Sequence, residues 1–180
     1  MTHNGHPGTK QATIRLMLYA AYGSNLHPVR LADRISSAQL VSAAWLPHWS
    51  LYFHKRGKDE SGKCNILIGD DGVHFAVFEI SAEDKLALDK IEGLGKGYCE
   101  ISLSIPGIGT CVSYVAEESY IDDFLRPYDW YKELVMAGAK FHGFPDHYLQ
   151  AIEFVQALRD PDSERRVNQW EMVEMVKAGS

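Results

Sequence analysis

The chain has 180 residues, 46% of them hydrophobic, which suits one domain with a substantial core rather than two small ones. Its 18 Lys and Arg against 24 Asp and Glu leave a formal net charge of -6, which argues against a general nucleic-acid binder and points to small-molecule partners. The three cysteines form no CxxC pair and no apolar run approaches bilayer length, so a reducing, cytoplasmic setting with no membrane partner is expected.

Residues 1–12 read as a disordered N-terminal tail, polar and rich in Gly and His, ahead of a single domain over 13–180. A buried strand is predicted from Arg15 to Tyr22. It ends abruptly in Gly23-Ser24-Asn25-Leu26, before a helix from Pro28 to Ile35 with proline in its first turn. Such a turn can bring backbone close to a ligand and present peptide N–H groups to an anion, or it can simply join a strand to a helix. Gln39–Phe53 is β-like in two pieces broken at Pro47. Residues 57–63 form a loop, and Cys64–Ile68 and Val73–Ile80 read as a hairpin around Gly69-Asp70-Asp71-Gly72. Ser81, with Asp84 three residues on, is a capping-box start for a helix that runs to Glu92 and stops at Gly93. A second hairpin pairs Tyr98–Ile105 with Thr110–Ala116 around Pro106-Gly107-Ile108-Gly109. Three helices follow, at Asp129–Lys140, Asp146–Leu158 and Asp162–Lys177, serving packing or a homodimer contact. This order indicates an α+β fold: a small, closed or barrel-like sheet with helices outside it.

Several motifs fail on physical grounds. Gly57-Lys58-Asp59-Glu60-Ser61-Gly62-Lys63-Cys64 fits GxxxxGK but precedes a strand, puts Cys where Ser or Thr should hold magnesium, and sets two acids where phosphates would lie. Gly93-Leu94-Gly95-Lys96-Gly97 follows a helix, the reverse of a dinucleotide fingerprint, and reads as a connecting loop. Ser24 lacks the flanking glycines of a nucleophile elbow, and the eight histidines show no HExxH spacing, so neither a serine nucleophile nor a metal is expected. Strand alternation puts His54 and Arg56 on one face, toward a site or toward solvent, with Lys55 opposite. Glu92 sits in the last turn of its helix, near Asp89 and at the negative end of the macrodipole. Both disfavour its charged form, which suits proton transfer near neutral pH if the carboxyl is partly buried; a solvated glutamate at a helix end fits the position equally well.

The Tyr22-Gly23-Ser24-Asn25 turn, Leu88-Asp89 with Glu92-Gly93, and the later Tyr98 together resemble the γ-glutamylcyclotransferase, or AIG2-like, family. Phe53-His54-Lys55-Arg56 with Ser61-Gly62-Lys63 looks like bacterial-type members. Tyr131-Lys132, Leu134-Val135 and Gly138-Ala139, with His142-Gly143, Pro145 and Tyr148, are similar to the family's C-terminal segment, so the resemblance covers about residues 16–155. It implies a small mixed β-barrel with flanking helices and a reaction without cofactor or metal. In that reaction the α-amine of a γ-glutamyl group attacks its own γ-carbonyl, giving 5-oxoproline and releasing an amine. Glu92 is then the expected acid/base. Tyr22, Gly23, Ser24, Asn25, Leu26, Tyr98 and Tyr131 are the expected substrate contacts, and Tyr114 is either a contact or a core residue. Family members often carry glycine where this chain has Phe75, which either crowds the leaving-group side or turns outward.

Overall fold

The computed structural model describes residues 15–179, so the expected tail at 1–12 lies outside the described residues. Strand β1 (Leu16–Ala21) is paired on both sides, antiparallel to β5 (Val73–Ser81) and parallel to β7 (Gly109–Ala116). Being central, it carries buried residues to its very end, and it delivers the Gly23 turn to the middle of the sheet. Helix α1 (Pro28–Arg34) starts where the His27 ring accepts the Val29 N–H at 3.2 Å and Pro28 presets the first turn. The full sheet order is β2-β5-β1-β7-β6, with β2 at Gln39–Leu46 and β6 at Tyr98–Ile105. The β6–β7 hairpin forms as expected, closed by Ile105 opposite Gly109.

The architecture is α+β with mixed strand directions and flanking helices, but the sheet does not close on itself. The expected pairing of Cys64–Ile68 with Val73–Ile80 does not form either. Strand β4 (Gly62–Ile68) pairs instead with β3 (Trp49–Arg56) in a separate two-stranded ribbon. The intervening turn is tied back to the start of β3: the Gly69 N–H donates to the His48 carbonyl at 3.1 Å, and the Gly72 N–H to that of Trp49 at 2.8 Å. Gly72 has φ +81, and a Cβ there would lie 2.4 Å from the Trp45 ring nitrogen. The turn therefore passes the chain between sheets, which a sequence window on the two strands alone does not reveal.

Helix α2 (Ala82–Glu92) has half of the expected capping box. Ser81 Oγ accepts the Asp84 N–H at 3.1 Å, but the Asp84 carboxylate takes the Ser37 N–H at 2.8 Å, and the Ser81 N–H goes to Ser37 Oγ. Gly93, left-handed at φ 78, ends the helix by donating to the Asp89 carbonyl. Helices α3 (Asp129–Phe141), α4 (Asp146–Phe154) and α5 (Ser163–Ala178) complete the fold, and α5 packs Val173 and Val176 into the core. Helix α4 ends at Phe154, short of the expected Leu158, because Leu158 exchanges backbone hydrogen bonds with Pro127 and Asp129.

Candidate active site

The Gly23 turn, the end of α2, the start of β6, β4, β7 and the first turn of α3 converge on a cavity of about 30 Å³. Tyr19, Tyr22, Gly23, Ser24, Asn25, Cys64, Glu92, Tyr98, Tyr114 and Tyr131 line it. Seven of the expected site residues are thus brought together: Tyr22, Gly23, Ser24, Asn25, Glu92, Tyr98 and Tyr131. Leu26 is not among them. It is fully buried against α3, where a Cβ at Gly138 would lie 2.4 Å from the Leu26 Cβ, so Leu26 is a packing residue rather than a substrate contact. Phe75 neither crowds the cavity nor turns outward. It is fully buried and meets the Tyr22 ring edge-on at 6.0 Å, supporting it from behind.

Glu92 projects from the last turn of α2 with its side chain 18% exposed. The Asn25 amide nitrogen donates to Glu92 Oε1 at 2.8 Å and to the Tyr19 hydroxyl at 3.1 Å, while Arg34 Nη1 donates to the Asn25 carbonyl oxygen at 2.9 Å. Asn25 thus contributes its side chain to the site as well as the backbone N–H expected of the turn. Burial raises the Glu92 pKa, and the charge of Arg34, the Asn25 hydrogen bond and the Lys55 charge oppose the rise. The direction agrees with expectation, and burial, the condition attached to it, is the leading cause; Asp89 is not among the causes. Asp89 faces elsewhere, bound by Lys85 Nζ at 2.5 Å and by the Tyr114 hydroxyl at 2.7 Å. The i,i+4 spacing of Lys85 and Asp89 is the sequence signal that could have shown this.

The tyrosines form a frame around the carboxyl. Tyr22 donates its hydroxyl to the Tyr114 carbonyl at 2.5 Å, and Tyr98 donates to the Cys64 carbonyl at 2.6 Å. Tyr131 instead accepts the Cys64 N–H at 3.0 Å and Tyr19 accepts from Asn25, so both keep a hydroxyl hydrogen to offer the cavity. Burial pushes these hydroxyls up in pKa, keeping them protonated donors, and pushes the Cys64 thiol up to about 12, which leaves it a poor nucleophile. Tyr19 and Cys64 were missed in the sequence, since a tyrosine and a cysteine inside strands read as core. Among the described residues, the peptide N–H groups of Gly23, Ser24 and Asn25 have no protein acceptor, whereas that of Leu26 donates to the Gly23 carbonyl.

His54 and Arg56 do not reach the cavity. His54 is held between Asp123 and Asn65, and Arg56 pairs with Glu60 and Asp122. The 57–63 loop is no phosphate cradle: Lys63 Nζ is held by Asp59 Oδ2 at 2.8 Å and Ser61 Oγ at 2.7 Å. No group of three His, Cys, Asp or Glu side chains among the described residues could hold a metal ion, and none of the described helices is long and apolar enough to cross a membrane.

Residues 72–152 match the AIG2-like family. Mouse γ-glutamylcyclotransferase is 28% identical over 97% of this chain and 94% of its own length. The bovine γ-glutamylcyclotransferase is 30% identical over 77% of this chain and 78% of its own. The chain belongs to the γ-glutamylcyclotransferase family. A solved γ-glutamyl cyclotransferase has the same fold, with a TM-score of 0.78 at 24% identity over 89% of this chain and 99% of that one. As a member of that family the chain is an enzyme of the γ-glutamylcyclotransferase type.

Ser24 lines the cavity without a hydrogen bond from its hydroxyl among the described residues, so Ser24→Ala is expected to lower kcat/KM by less than about tenfold, the worth of one ordinary hydrogen bond. Steady-state kinetics on the purified variant check this, and a loss of a thousandfold would make the hydroxyl, not the peptide backbone, the working group of the turn.

Proposed function

We propose that the enzyme converts a γ-glutamyl amide to 5-oxoproline and a free amine, with Glu92 as general acid/base and the Gly23 turn as anchor. A γ-glutamyl head carries an α-carboxylate and a carbonyl oxygen, which want donors, and an α-ammonium, which wants an acceptor. The cavity offers that set in complement. The N–H groups of residues 23–25 and the hydroxyls of Tyr19 and Tyr131 are donors, and Glu92 is its one carboxyl.

Glu92 as carboxylate takes a proton from the α-ammonium, and the freed amine attacks the γ-carbonyl carbon, forming the ring C–N bond. The negative charge that develops on the carbonyl oxygen is held by preorganised N–H and O–H donors. Collapse of this tetrahedral centre breaks the bond to the departing nitrogen. Glu92, now protonated, gives its proton to the departing nitrogen as that bond breaks. Again a carboxylate, it takes the second proton from the ring nitrogen and passes it to the released amine, which leaves as an ammonium while Glu92 returns to its starting state. One carboxyl with a raised pKa serves each transfer, and no nucleophile of the protein is used.

The observation that carries this reading is the 2.8 Å hydrogen bond from Asn25 to Glu92, which joins the anchoring turn to a partly buried carboxyl across one cavity. The test is a panel of γ-glutamyl amino acids, peptides and amines incubated with the enzyme and read for 5-oxoproline by mass spectrometry. Release from at least one member at a rate that follows enzyme concentration is expected; none from any member overturns the reading.

A further inference from the structure

Beyond Glu92 the cavity opens into a cleft of about 570 Å³ that shares Ser24, Glu92, Tyr98 and Tyr131 with it. Ring closure needs only the glutamyl head, so whatever lies past the scissile bond extends into this cleft. Four of its cations meet acids: Lys63 with Asp59 at 2.8 Å, Arg165 with Asp160 at 2.5 Å, Arg34 with Glu92 at 3.8 Å, and Arg56 with Glu60 and Asp122. Among the described residues the exposed Lys58 and Lys96 have no ion pair, and the buried Arg30 reaches only the Gln169 side chain at 3.5 Å. Lys55 differs. It lines the cleft but not the inner cavity, is only 6% exposed, and among the described residues its ammonium has neither a hydrogen bond nor an ion pair.

That ammonium is nonetheless held in place. It lies 4.3 Å from the centre of the Tyr98 ring, the same ring that borders Glu92. Gly97, at φ +128, makes room for it, since a Cβ there would stand 2.9 Å from both Lys55 Cε and Nζ. The Glu92 carboxylate partly offsets the charge of Lys55 but makes no ion pair with it, and a buried, positioned cation left without a directly bound anion is costly unless a ligand supplies one. Desolvation accordingly pulls the Lys55 pKa down.

We infer that Lys55 binds a carboxylate on the leaving amine, so that the enzyme selects γ-glutamyl amino acids and peptides over γ-glutamyl amines that lack this group. This rests on the proposed cyclisation, with the glutamyl head in the inner cavity. Lys55 then reads the far side of the scissile bond, and its pull on the leaving group's carboxylate also aligns the departing nitrogen with Glu92.

The experiment compares γ-glutamyl-alanine with γ-glutamyl-ethylamide, which differ by that carboxylate. Wild type is expected to favour the alanine compound by roughly ten- to hundredfold in kcat/KM, the range for a hydrogen bond to a charged group. Lys55→Met is expected to collapse the ratio toward one, mainly through KM for the alanine compound, and Lys55→Arg to restore part of it. Thermal unfolding of each variant reports whether the fold survives. A wild type that does not discriminate, or a Lys55→Met that slows both substrates with the ratio intact, overturns the inference while leaving the cyclisation standing. If neither substrate and no member of the panel is turned over, both readings fall.

Discussion

Glu92→Gln is expected to lower 5-oxoproline release by roughly a hundred- to ten-thousandfold, the range for loss of a general acid/base. The substitution keeps an oxygen for the Asn25 amide, which donates to Glu92 Oε1 at 2.8 Å, so ligand affinity should change little and kcat should carry the loss. Substrate affinity by calorimetry, set beside turnover, separates the two. Because the base form must accept the ammonium proton, wild-type kcat/KM should fall as pH drops through the raised Glu92 pKa, placing the acid limb above the ordinary glutamate range. The stability effect has the opposite sense. A carboxyl whose folded pKa is raised favours the fold most below the unfolded pKa, and this contribution is lost as pH rises through the folded value. Glu92→Gln removes the burial cost of the charge, so its thermal midpoint near neutral pH should equal or exceed that of wild type. A variant that is both less stable and fully active would reverse the assignment, since the carboxylate would then be structural.

Much of this site was legible because local physics specified it. Ser81 and Gly93 bound α2 and so set the place of Glu92, and the end of β1 places the glycine turn. What was not legible depends on contacts between distant segments. Strand β4 has the alternation and turn residues of a hairpin partner for β5, yet the turn between them is hydrogen-bonded back to His48 and Trp49, which sends it to β3. Strand alternation set Lys55 opposite His54 and Arg56. A register shift between Tyr52 and Lys55 breaks that pattern, and the residue that reaches the cleft beside Glu92 is Lys55, with Arg56 drawn to acids at the rim. The Asn25 side chain was likewise invisible, because Glu92, its partner, lies 67 residues away.

Gly23→Val is expected to abolish turnover and to cost about 1–3 kcal/mol of stability, the usual penalty for overfilling a packed site. Gly23 does not adopt the left-handed conformation that favours glycine, so its role is space. A Cβ at this position would lie 3.0 Å from Cys64 Cβ, 3.4 Å from the Tyr131 hydroxyl and 3.5 Å from Cys64 Sγ. Alanine therefore forces a shift of a few tenths of an ångström, whereas the two methyls of valine must displace Cys64 or the turn itself. Either movement reaches the chemistry. Cys64 holds both Tyr131, through its N–H, and Tyr98, through its carbonyl, while the turn carries Asn25 and hence the hydrogen bond to Glu92. The series Gly23, Ala, Val should thus lose kcat/KM stepwise, with Ala retaining a wild-type fold by circular dichroism. If Gly23→Val folds and turns over like wild type, the turn is not the anchor. If Gly23→Ala is already inactive yet stable, then the cavity tolerates no displacement at Cys64, and the tyrosine frame around Glu92 must be rigid to within a few tenths of an ångström.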